Sequence, residues 1–299
     1  MTAAKTVTKP ATSRKSSASY RVKSKVKTGI YHLVVITLGF VMIYPLLWML
    51  ASSFKPTEEI FNNAASLIPI DFSPENYATG WRGFGGFSFG HFFRNSFVIS
   101  ILSTLGTMVS APFVAFGFAR LKFRGRGLWF TLMLMTMMLP FQIIMVPQYI
   151  IFHSIGWVNT ILPLVVPAFT GGAFFVFLIV QFIHGIPREL DEAAFIDGCS
   201  WYGIYFKIIL PLIIPAVVTC AIFSFMWSWD NFLAALLYLN RPVDYTVALA
   251  LRLFSDPAAN SDWGALFAMS VLSLAPIMAI FIFCQRYLIE GISTEGLKG

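Results

Sequence analysis

Six stretches of this chain are apolar enough, and long enough, to cross a lipid bilayer as helices. A helix needs about 20 predominantly apolar residues to span the hydrocarbon core. The candidate segments cover roughly residues 30–52, 95–119, 128–151, 159–183, 208–236 and 264–285. Five of them contain no Asp, Glu, Lys or Arg, and the segment 208–236 contains only Asp230. The pattern predicts an all-α integral membrane protein with six transmembrane helices.

The composition agrees with a membrane protein and excludes a soluble globular domain. Charged residues make up 12% of the chain and hydrophobic residues 57%, and the mean hydropathy is +0.74. A soluble domain carries about 25% charged residues, so this chain has too few charges to cover a soluble surface. The net charge of +7 does not indicate nucleic-acid binding, because the basic residues cluster at the ends of apolar segments.

The distribution of Lys and Arg predicts the orientation, because cytoplasmic loops carry an excess of these residues. Sixteen lie before the first segment, in the loops after the second and fourth segments, and after the sixth, whereas five lie in the alternate loops. We therefore expect both termini in the cytoplasm. Residues 1–28 are basic and poor in large apolar side chains, which predicts a disordered cytoplasmic tail before a membrane domain at 29–299.

The loop between the fourth and fifth segments, about residues 185–207, carries the most informative pattern. Pro187 suits the first turn of a helix, and three acidic residues among the next five would favour the positive end of that helix. Ala193 and Ala194 are small enough to let another surface approach closely. Gly198 can adopt the left-handed conformation that ends a helix, and Ser200 could cap a second one. The loop predicts two short helices at the membrane face, although a merely solvated loop would carry similar charges.

This loop resembles the EAA motif of the permease subunits of binding-protein-dependent ABC importers. The motif has Glu-Ala-Ala, three residues, Gly, nine residues and Ile-x-Leu-Pro, and it lies in a cytoplasmic loop before the penultimate span. The matching residues are Glu192, Ala193, Ala194, Gly198, Ile208, Leu210 and Pro211. The resemblance implies that this stretch, with Asp197 included, couples the membrane protein to an ATPase subunit by docking a helix into a cleft.

Other stretches resemble the carbohydrate importers of that family, above all the second permease subunit of maltose-type oligosaccharide importers. They are Tyr44-Pro45, 53–55, 229–232, Arg286-Tyr287 and 291–299. In 229–232 the acid precedes the amide, which departs from the family's order. The resemblance covers about residues 30–299. It implies the type I importer permease fold and the uptake of a carbohydrate, such as an oligosaccharide, across the bacterial cytoplasmic (inner) membrane.

The resemblance also implies the partners. They are a second homologous permease subunit, two ATPase subunits that bind ATP and Mg, an extracytoplasmic sugar-binding protein, the carbohydrate and membrane lipid. This chain has no GxxxxGK[ST] phosphate loop, so we expect no ATP hydrolysis, no catalytic residue and no cofactor of its own. Three cysteines without a CxxC spacing and four histidines without ligand spacing predict no metal site.

Five residues are candidates for the translocation path: Trp227, Trp229, Asp230, Asn231 and Gln142. Asp230 is the one acid within a segment, and an intramembrane ionisable residue is a functional candidate by default. Indole rings could stack on a sugar, and amides could bond its hydroxyls. An aromatic belt at the membrane surface, or a structural contact, would use the same residue types.

Three rival functions remain: an ion-coupled secondary transporter, a membrane-embedded enzyme and the membrane domain of an exporter, which lacks this EAA loop. An ion-coupled secondary transporter is the alternative function, and it predicts a relay of intramembrane acids, of which Asp230 alone is available. A membrane-embedded enzyme would need a nucleophile with its base, or a metal cluster, which the spans do not show. The Gly- and Phe-rich stretch 80–93 is not explained by the resemblance, and it predicts an interfacial segment with its aromatic rings at headgroup depth.

Overall fold

The computed structural model describes residues 15–254 and 262–293, with side chains described for 27–252, 254 and 262–287. The secondary structure there is almost entirely helical. The α-helices in chain order are α1 (Lys15–Ser52), α2 (Thr57–Asn62), α3 (Glu75–Arg82), α4 (Phe89–Arg120), α5 (Arg126–Thr136), α6 (Phe141–Ser154), α7 (Leu162–Val165), α8 (Ala173–His184), α9 (Glu189–Ile196), α10 (Trp201–Ile204), α11 (Leu210–Leu212), α12 (Ile214–Trp229), α13 (Phe232–Tyr238), α14 (Val247–Phe254) and α15 (Trp263–Ser293). Short 3₁₀ helices occupy Val166–Thr170 and Pro242–Asp244, and a π-helical turn occupies Tyr205–Ile209.

Four of the described helical stretches are long and apolar enough to cross a membrane. They are Lys27–Ser52, Phe89–Arg120, Leu162–His184 and Trp263–Tyr287. Two pairs of helices pass the same test together but are bent, by 99° between α5 and α6 and by 72° between α11 and α12. The described residues therefore hold four candidate spans, or up to six if each bent pair is one span.

These bends correct the prediction that segments 128–151 and 208–236 are single helices. Helix α5 ends at Thr136, and α6 begins after Pro140, which has φ −65° and ψ 141°. A proline offers no backbone N–H, and it pushes the residue before it out of the helical conformation. Pro211 and Pro215 lie on either side of the second bend.

Helix α1 begins at Lys15, which differs from the disordered tail predicted for residues 1–28. Residues 1–14 of that tail lie outside the described residues, while 15–28 continue the helix of the first candidate span. Extending an existing helix requires no new nucleation, so a polar segment can follow the helical path of an apolar one. By its internal contacts the chain divides into two units, Met1–Ala51 and Ser52–Gly299, and the sites described below lie in the second.

Helix α4 presents one continuous face of small, buried residues in the second unit. These residues recur every three or four positions, as expected for one side of a helix, and they are Ser96, Ser100, Ser103, Thr107, Ala111, Ala115 and Ala119. The first four carry hydroxyl groups and the last three do not. The alanine half packs against α8 and α12 in a hydrophobic cluster with Ile179, Ile183 and Ala216. Small side chains allow such close helix packing within a membrane.

The Gly- and Phe-rich stretch forms a tight turn. The backbone N–H of Phe84 and that of Phe87 each donate to the other's carbonyl oxygen, over 3.1 and 3.0 Å. Gly83 has φ +71°, and a Cβ there would clash with the carbonyl of Phe87. Phe89 and Phe92 are fully buried in a cluster with residues of α12, α14 and α15. Their depth in the membrane stays a prediction, and within the protein helices distant in the sequence cover both rings.

Candidate coupling loop and polar recess

The predicted surface helix is α9, and its N-cap residue is Arg188. Glu189, Asp191 and Glu192 lie in its first turn, where carboxylates interact favourably with the partial positive charge of a helix N-terminus. Pro187 precedes the N-cap and is not in the first turn as predicted. The carbonyl of Arg188 accepts the first helical hydrogen bonds, from the N–H groups of Asp191 and Glu192 at 3.0 and 3.1 Å.

Helix α9 ends in a complete Schellman motif. Gly198 has φ +81°, its N–H donates to the carbonyl of Phe195 over 3.0 Å, and the N–H of Cys199 donates to that of Ala194 over 2.9 Å. These bonds satisfy carbonyls that a helix end otherwise leaves unpaired. No heavy atom lies within 4 Å of a Cβ built at Gly198, so backbone conformation selects glycine here. The predicted left-handed end of the helix is confirmed.

The second short helix is also present. The N–H of Gly203 donates to Oγ of Ser200 over 3.3 Å, which confirms Ser200 as the cap of α10. The chain then passes through the π-helical turn into α11. Leu210 packs against the hydrophobic cluster that contains Ala194, whereas Pro211 is exposed. The two ends of the EAA motif therefore meet in one core.

The sides of α9 differ in exposure. Glu192, Ala193 and Asp197 are exposed, whereas Ala194 is 6% exposed and packs into the cluster with α4 and α8. Consecutive residues of a helix point about 100° apart, so the expectation that Ala194 shares the exposed side of Ala193 is wrong. Exposed apolar side chains also collect in this loop, which is typical of a surface that another molecule covers. They are Leu190, Phe195, Ile196, Trp201, Tyr202 and Phe206.

A buried ion pair joins the end of α4 to α9. Nε of Arg120 lies 2.9 Å from Oδ2 of Asp191, and both side chains are more than nine-tenths buried. Burial raises the pKa of the Asp191 carboxyl, and the positive charges of Arg120 and Arg188 oppose that shift without overcoming it. A cavity of about 580 Å³ adjoins the pair, and Lys122, Arg188 and Glu192 contribute to its walls.

Sequence reasoning missed this ion pair. Arg120 was informative only as one more basic residue in a loop, and Asp191 only as an acid in a first helical turn. The available signal was the spacing of Asp191 and Ala194, which lie three residues apart and therefore share one face of α9. A face that carries a small residue for close packing is a buried face, and a carboxylate on it requires a partner.

A second cavity, of about 160 Å³, lies beside the middle of α4. We call it the polar recess, and its polar or aromatic wall residues include Ser103, Thr107, Ser224, Trp227, Ser228 and Asn231. Oγ1 of Thr107 and Oγ of Ser224 lie 3.0 Å apart, and Oγ of Ser103 donates to the carbonyl of Leu164 over 3.1 Å. The helix of the fourth segment is interrupted beside this recess, where Gly171 has φ +78°.

The structure brings two of the five path candidates together. Trp227 and Asn231 line the polar recess. Trp229 is buried in the cluster that contains Phe89 and Phe92, which we call the aromatic cluster. Its indole N–H donates there to a backbone carbonyl of α15 over 3.2 Å. Helix positions two residues apart point about 200° apart, which separates Trp229 from Trp227. Asp230 and Gln142 are exposed and are not among the residues that line the recess.

The neighbourhood of Asp230 is not a continuous helix. Helix α12 ends at Trp229, and the side-chain oxygen of Asn231 accepts a hydrogen bond from the N–H of Ala234 over 3.2 Å, which caps α13. Asp230 therefore occupies an exposed position between two helices. This differs from the predicted placement within a single span.

The described residues also bear on metal binding. Among 15–254 and 262–293, no three His, Cys, Asp or Glu side chains lie close enough together to hold a metal ion. Cys199, Cys220 and Cys284 are free thiols.

Known proteins similar to this chain include several transporter permeases. Residues 111–294 match the family described as binding-protein-dependent transport system inner membrane component. The probable ABC transporter permease protein YurM of Bacillus subtilis is 35% identical over 86% of this chain and 84% of that protein. The arabinooligosaccharides transport system permease protein AraQ of Halalkalibacterium halodurans is 35% identical, over 88% and 93%. The diacetylchitobiose uptake system permease protein DasC of Streptomyces coelicolor is 28% identical, over 89% and 95%.

A solved structure has the same fold. It is a bacterial ABC transporter involved in the import of the acidic polysaccharide alginate, and the similarity covers 93% of this chain and 99% of that chain, with a TM-score of 0.73 and 19% identity. The predicted importer permease fold is thereby confirmed. Permeases of this kind are not enzymes, and ATP hydrolysis belongs to a separate subunit. The chain therefore belongs to the family of binding-protein-dependent transport system inner membrane components, the multi-pass permease subunits of ABC importers.

Proposed function

We propose that this permease moves a carbohydrate, of oligosaccharide size, across the cytoplasmic membrane into the cell. Two of the relatives are named for arabinooligosaccharide and diacetylchitobiose transport, which supports a sugar substrate. The polar recess supports the same class, because hydroxyl groups, an amide and an indole ring suit a ligand rich in hydroxyls with apolar ring faces. Family membership favours ATP-driven import, and nothing in the structure supports the ion-coupled alternative.

The arrangement of exposed and buried residues on α9 is the main support for its role in coupling to the ATPase. Its exposed side, with Glu192, Ala193 and Asp197, is the surface that we assign to the ATPase. Gly198 sets the direction of the chain after that helix. Ala194 and Leu210 hold the loop on the membrane domain through the hydrophobic cluster, and Pro211 leads into the bent pair of helices.

The complete assembly in our proposal contains a second, homologous permease, two ATPase subunits that bind ATP with Mg, and an extracytoplasmic sugar-binding protein. The excess of Lys and Arg supports a cytoplasmic location for α9, for both termini and for the basic tail 1–28, with 29–299 as the membrane domain. ATP binding would draw the ATPase subunits together and move α9 with them. The spans would then switch between inward-open and outward-open arrangements.

We place the sugar path along the polar recess. Trp227 is 51% exposed and its indole ring offers a face for stacking, and Asn231 lies in the same wall. Asp230 and Gln142 are exposed outside the recess, where they would meet the sugar before or after it. Trp229 lies in the aromatic cluster, where it would support the path without touching the sugar.

The test is transport by the complete complex in proteoliposomes. The permease is reconstituted with its partner permease, ATPase and binding protein, and labelled arabinooligosaccharide and diacetylchitobiose are supplied outside. We expect accumulation of at least one sugar that requires ATP in the compartment facing the ATPase. No uptake of either sugar with ATP, or uptake driven by an ion gradient without ATP, would contradict the proposal.

A further inference from the structure

Helix α4 and the coupling loop are tied together by three polar contacts at one point. Besides the ion pair of Arg120 with Asp191, Nη2 of Arg120 donates to the carbonyl of Ile186 over 2.8 Å. In the opposite direction, Nη2 of Arg188 donates to the carbonyl of Ala119 over 3.3 Å. Each side of the junction therefore donates to a backbone carbonyl of the other. A displacement of either side would stretch contacts that run in both directions.

Apolar packing closes the junction. Ala119 and Ala194 belong to the same hydrophobic cluster, and the ring of Phe116 contacts those of Trp201 and Tyr205, with centroids 6.1 and 5.2 Å apart. The last turns of α4 thus touch the loop on both sides of Gly198. Both charged side chains are more than nine-tenths buried beside the cavity of about 580 Å³, and separating a buried ion pair is costly.

The ion pair is not explained by stability alone. Replacing a buried ion pair with apolar residues of similar volume is often neutral or stabilising, whereas removing one partner is strongly destabilising. Such a pair therefore fixes a geometry more than it adds free energy of folding. Here the fixed geometry is the position of α9 relative to the end of α4.

Helix α4 also reaches the polar recess. Thr107 lies thirteen residues and Ser103 seventeen residues before Arg120 on this one helix, which corresponds to about 20 and 25 Å of helix length. Pro112 lies between these residues and the junction, but α4 continues through it as one helix from Phe89 to Arg120. A movement imposed on Arg120 is therefore applied to the helix that forms one wall of the recess.

We propose that Arg120, Asp191 and Arg188 form a mechanical link that makes α4 move together with α9, so that ATPase movement reaches the polar recess through α4. These are positioning residues, and they touch neither the sugar nor ATP. The inference rests on the proposed function, since α9 is taken as the ATPase-facing helix. It adds the route from that helix to the transport path.

The first test compares Asp191→Asn with Asp191→Glu in the complete complex. Asn keeps the shape of the side chain but removes its charge, whereas Glu keeps the charge. For Asp191→Asn we expect ATPase co-purification at the normal ratio, while uptake and the stimulation of ATPase activity by loaded binding protein fall about tenfold or more. Asp191→Glu should recover a substantial part of both. Asp71→Asn, the same chemical change in an exposed loop, is the matched control.

Two results would overturn the link. Normal uptake in Asp191→Asn would show that α4 follows α9 without the pair. Loss of the ATPase from that variant, with a correspondingly lower uptake, would show that the pair shapes the docking surface instead. If the unaltered complex shows no ATP-dependent sugar uptake, the proposed function fails, and the distance measurement described next still decides the link.

The second test leaves the junction intact. Spin labels are placed at Lys122, just after α4, and at Glu189, on α9, in a background without the three native cysteines. A rigid link predicts that the label-to-label distance stays within about 2 Å between nucleotide-free and ATP-bound complexes. A change on the order of 5 Å, the length of one helical turn, would show that the two helices move separately.

Discussion

Helix α4 contributes to two regions of opposite construction. Beside the polar recess its buried face carries Ser103 and Thr107, and the cavity there has hydroxyl walls. At the coupling loop the same face carries alanines, and the helix ends in Arg120, which forms a buried ion pair with Asp191. One helix therefore lines a polar cavity with its middle and forms a buried ion pair at its end.

The difference follows from how each polar group is satisfied. The hydroxyl groups of the recess are neutral: Ser103 donates to the carbonyl of Leu164 over 3.1 Å, and Oγ1 of Thr107 lies 3.0 Å from Oγ of Ser224. Leaving a neutral group of this kind without its partner costs about 1–3 kcal/mol. Removing one partner of a buried ion pair costs about 3–5 kcal/mol, because it leaves an uncompensated charge. We therefore expect the recess to tolerate substitutions that the junction does not.

The largest effect is expected for Ala194→Trp. The side chain points into the hydrophobic cluster with α4 and α8, and inserting a large ring into a packed core forces the surrounding side chains apart. We predict that the variant fails to give a monodisperse permease pair in size-exclusion chromatography, before any ATPase is added. Ala193→Trp, at the exposed neighbour, should give the normal yield. Equal yields of both variants would contradict the assignment of the two sides of α9.

A loss of coupling without a loss of folding is expected for Gly198→Val. A β-branched residue at φ +81° costs about 1 kcal/mol or more, which α9 can escape by unwinding its Schellman end. We predict that sugar uptake falls about tenfold or more, with the membrane domain intact. Gly127→Val is the control, because Gly127 lies in α5 without a positive φ and has no heavy atom within 4 Å of a built Cβ. A similar loss in both variants would remove the special role of Gly198.

A moderate effect is expected for Trp227→Ala in the recess. Loss of one stacking ring should weaken sugar transport by about threefold to tenfold, on the scale of 0.5–1.5 kcal/mol for an aromatic contact. Uptake measured against external sugar concentration checks this, with ATPase co-purification unchanged. Trp129→Ala, which removes another exposed indole outside the recess, is the comparison. Unaltered transport in Trp227→Ala would show that the sugar path does not pass along the recess.

The smallest effect is expected for Asp230→Asn. This side chain is exposed between α12 and α13 and does not line the recess, so removing its charge should change uptake by less than about twofold. The measurement is the rate of uptake at saturating sugar, with assembly checked in parallel. A severe loss of transport with normal assembly would restore Asp230 as a gating residue.

Local chemistry explains which parts of this protein could be predicted from its sequence. Gly198 and Ser200 were identified because a helix end and a helix start depend on nearby residues. The apolar segments were visible for the same reason, since hydropathy is a property of consecutive residues. The bends before α6 and α12 were marked by Pro140 and Pro211, but their angles depend on packing against other helices.

The remaining features depend on residues that are distant in the sequence. Trp227 and Trp229 are the same residue type two positions apart. Trp229 is nevertheless buried in the aromatic cluster, whereas Trp227 is exposed at the recess. Asp191 became important only through Arg120, seventy-one residues earlier in the chain. The burial of Phe89 and Phe92 could not be predicted, because nothing in their own segment shows which helices cover them.

The central claim, that the exposed side of α9 couples this permease to an ATPase, is tested most directly by Ala193→Trp. The variant and the matched Ala65→Trp, an identical change in the exposed first loop, are each assembled with the partner permease, ATPase and binding protein. We predict that Ala193→Trp folds normally but loses the ATPase in co-purification and loses ATP-dependent sugar uptake, while Ala65→Trp retains both. Normal ATPase association and normal uptake in Ala193→Trp would contradict the account.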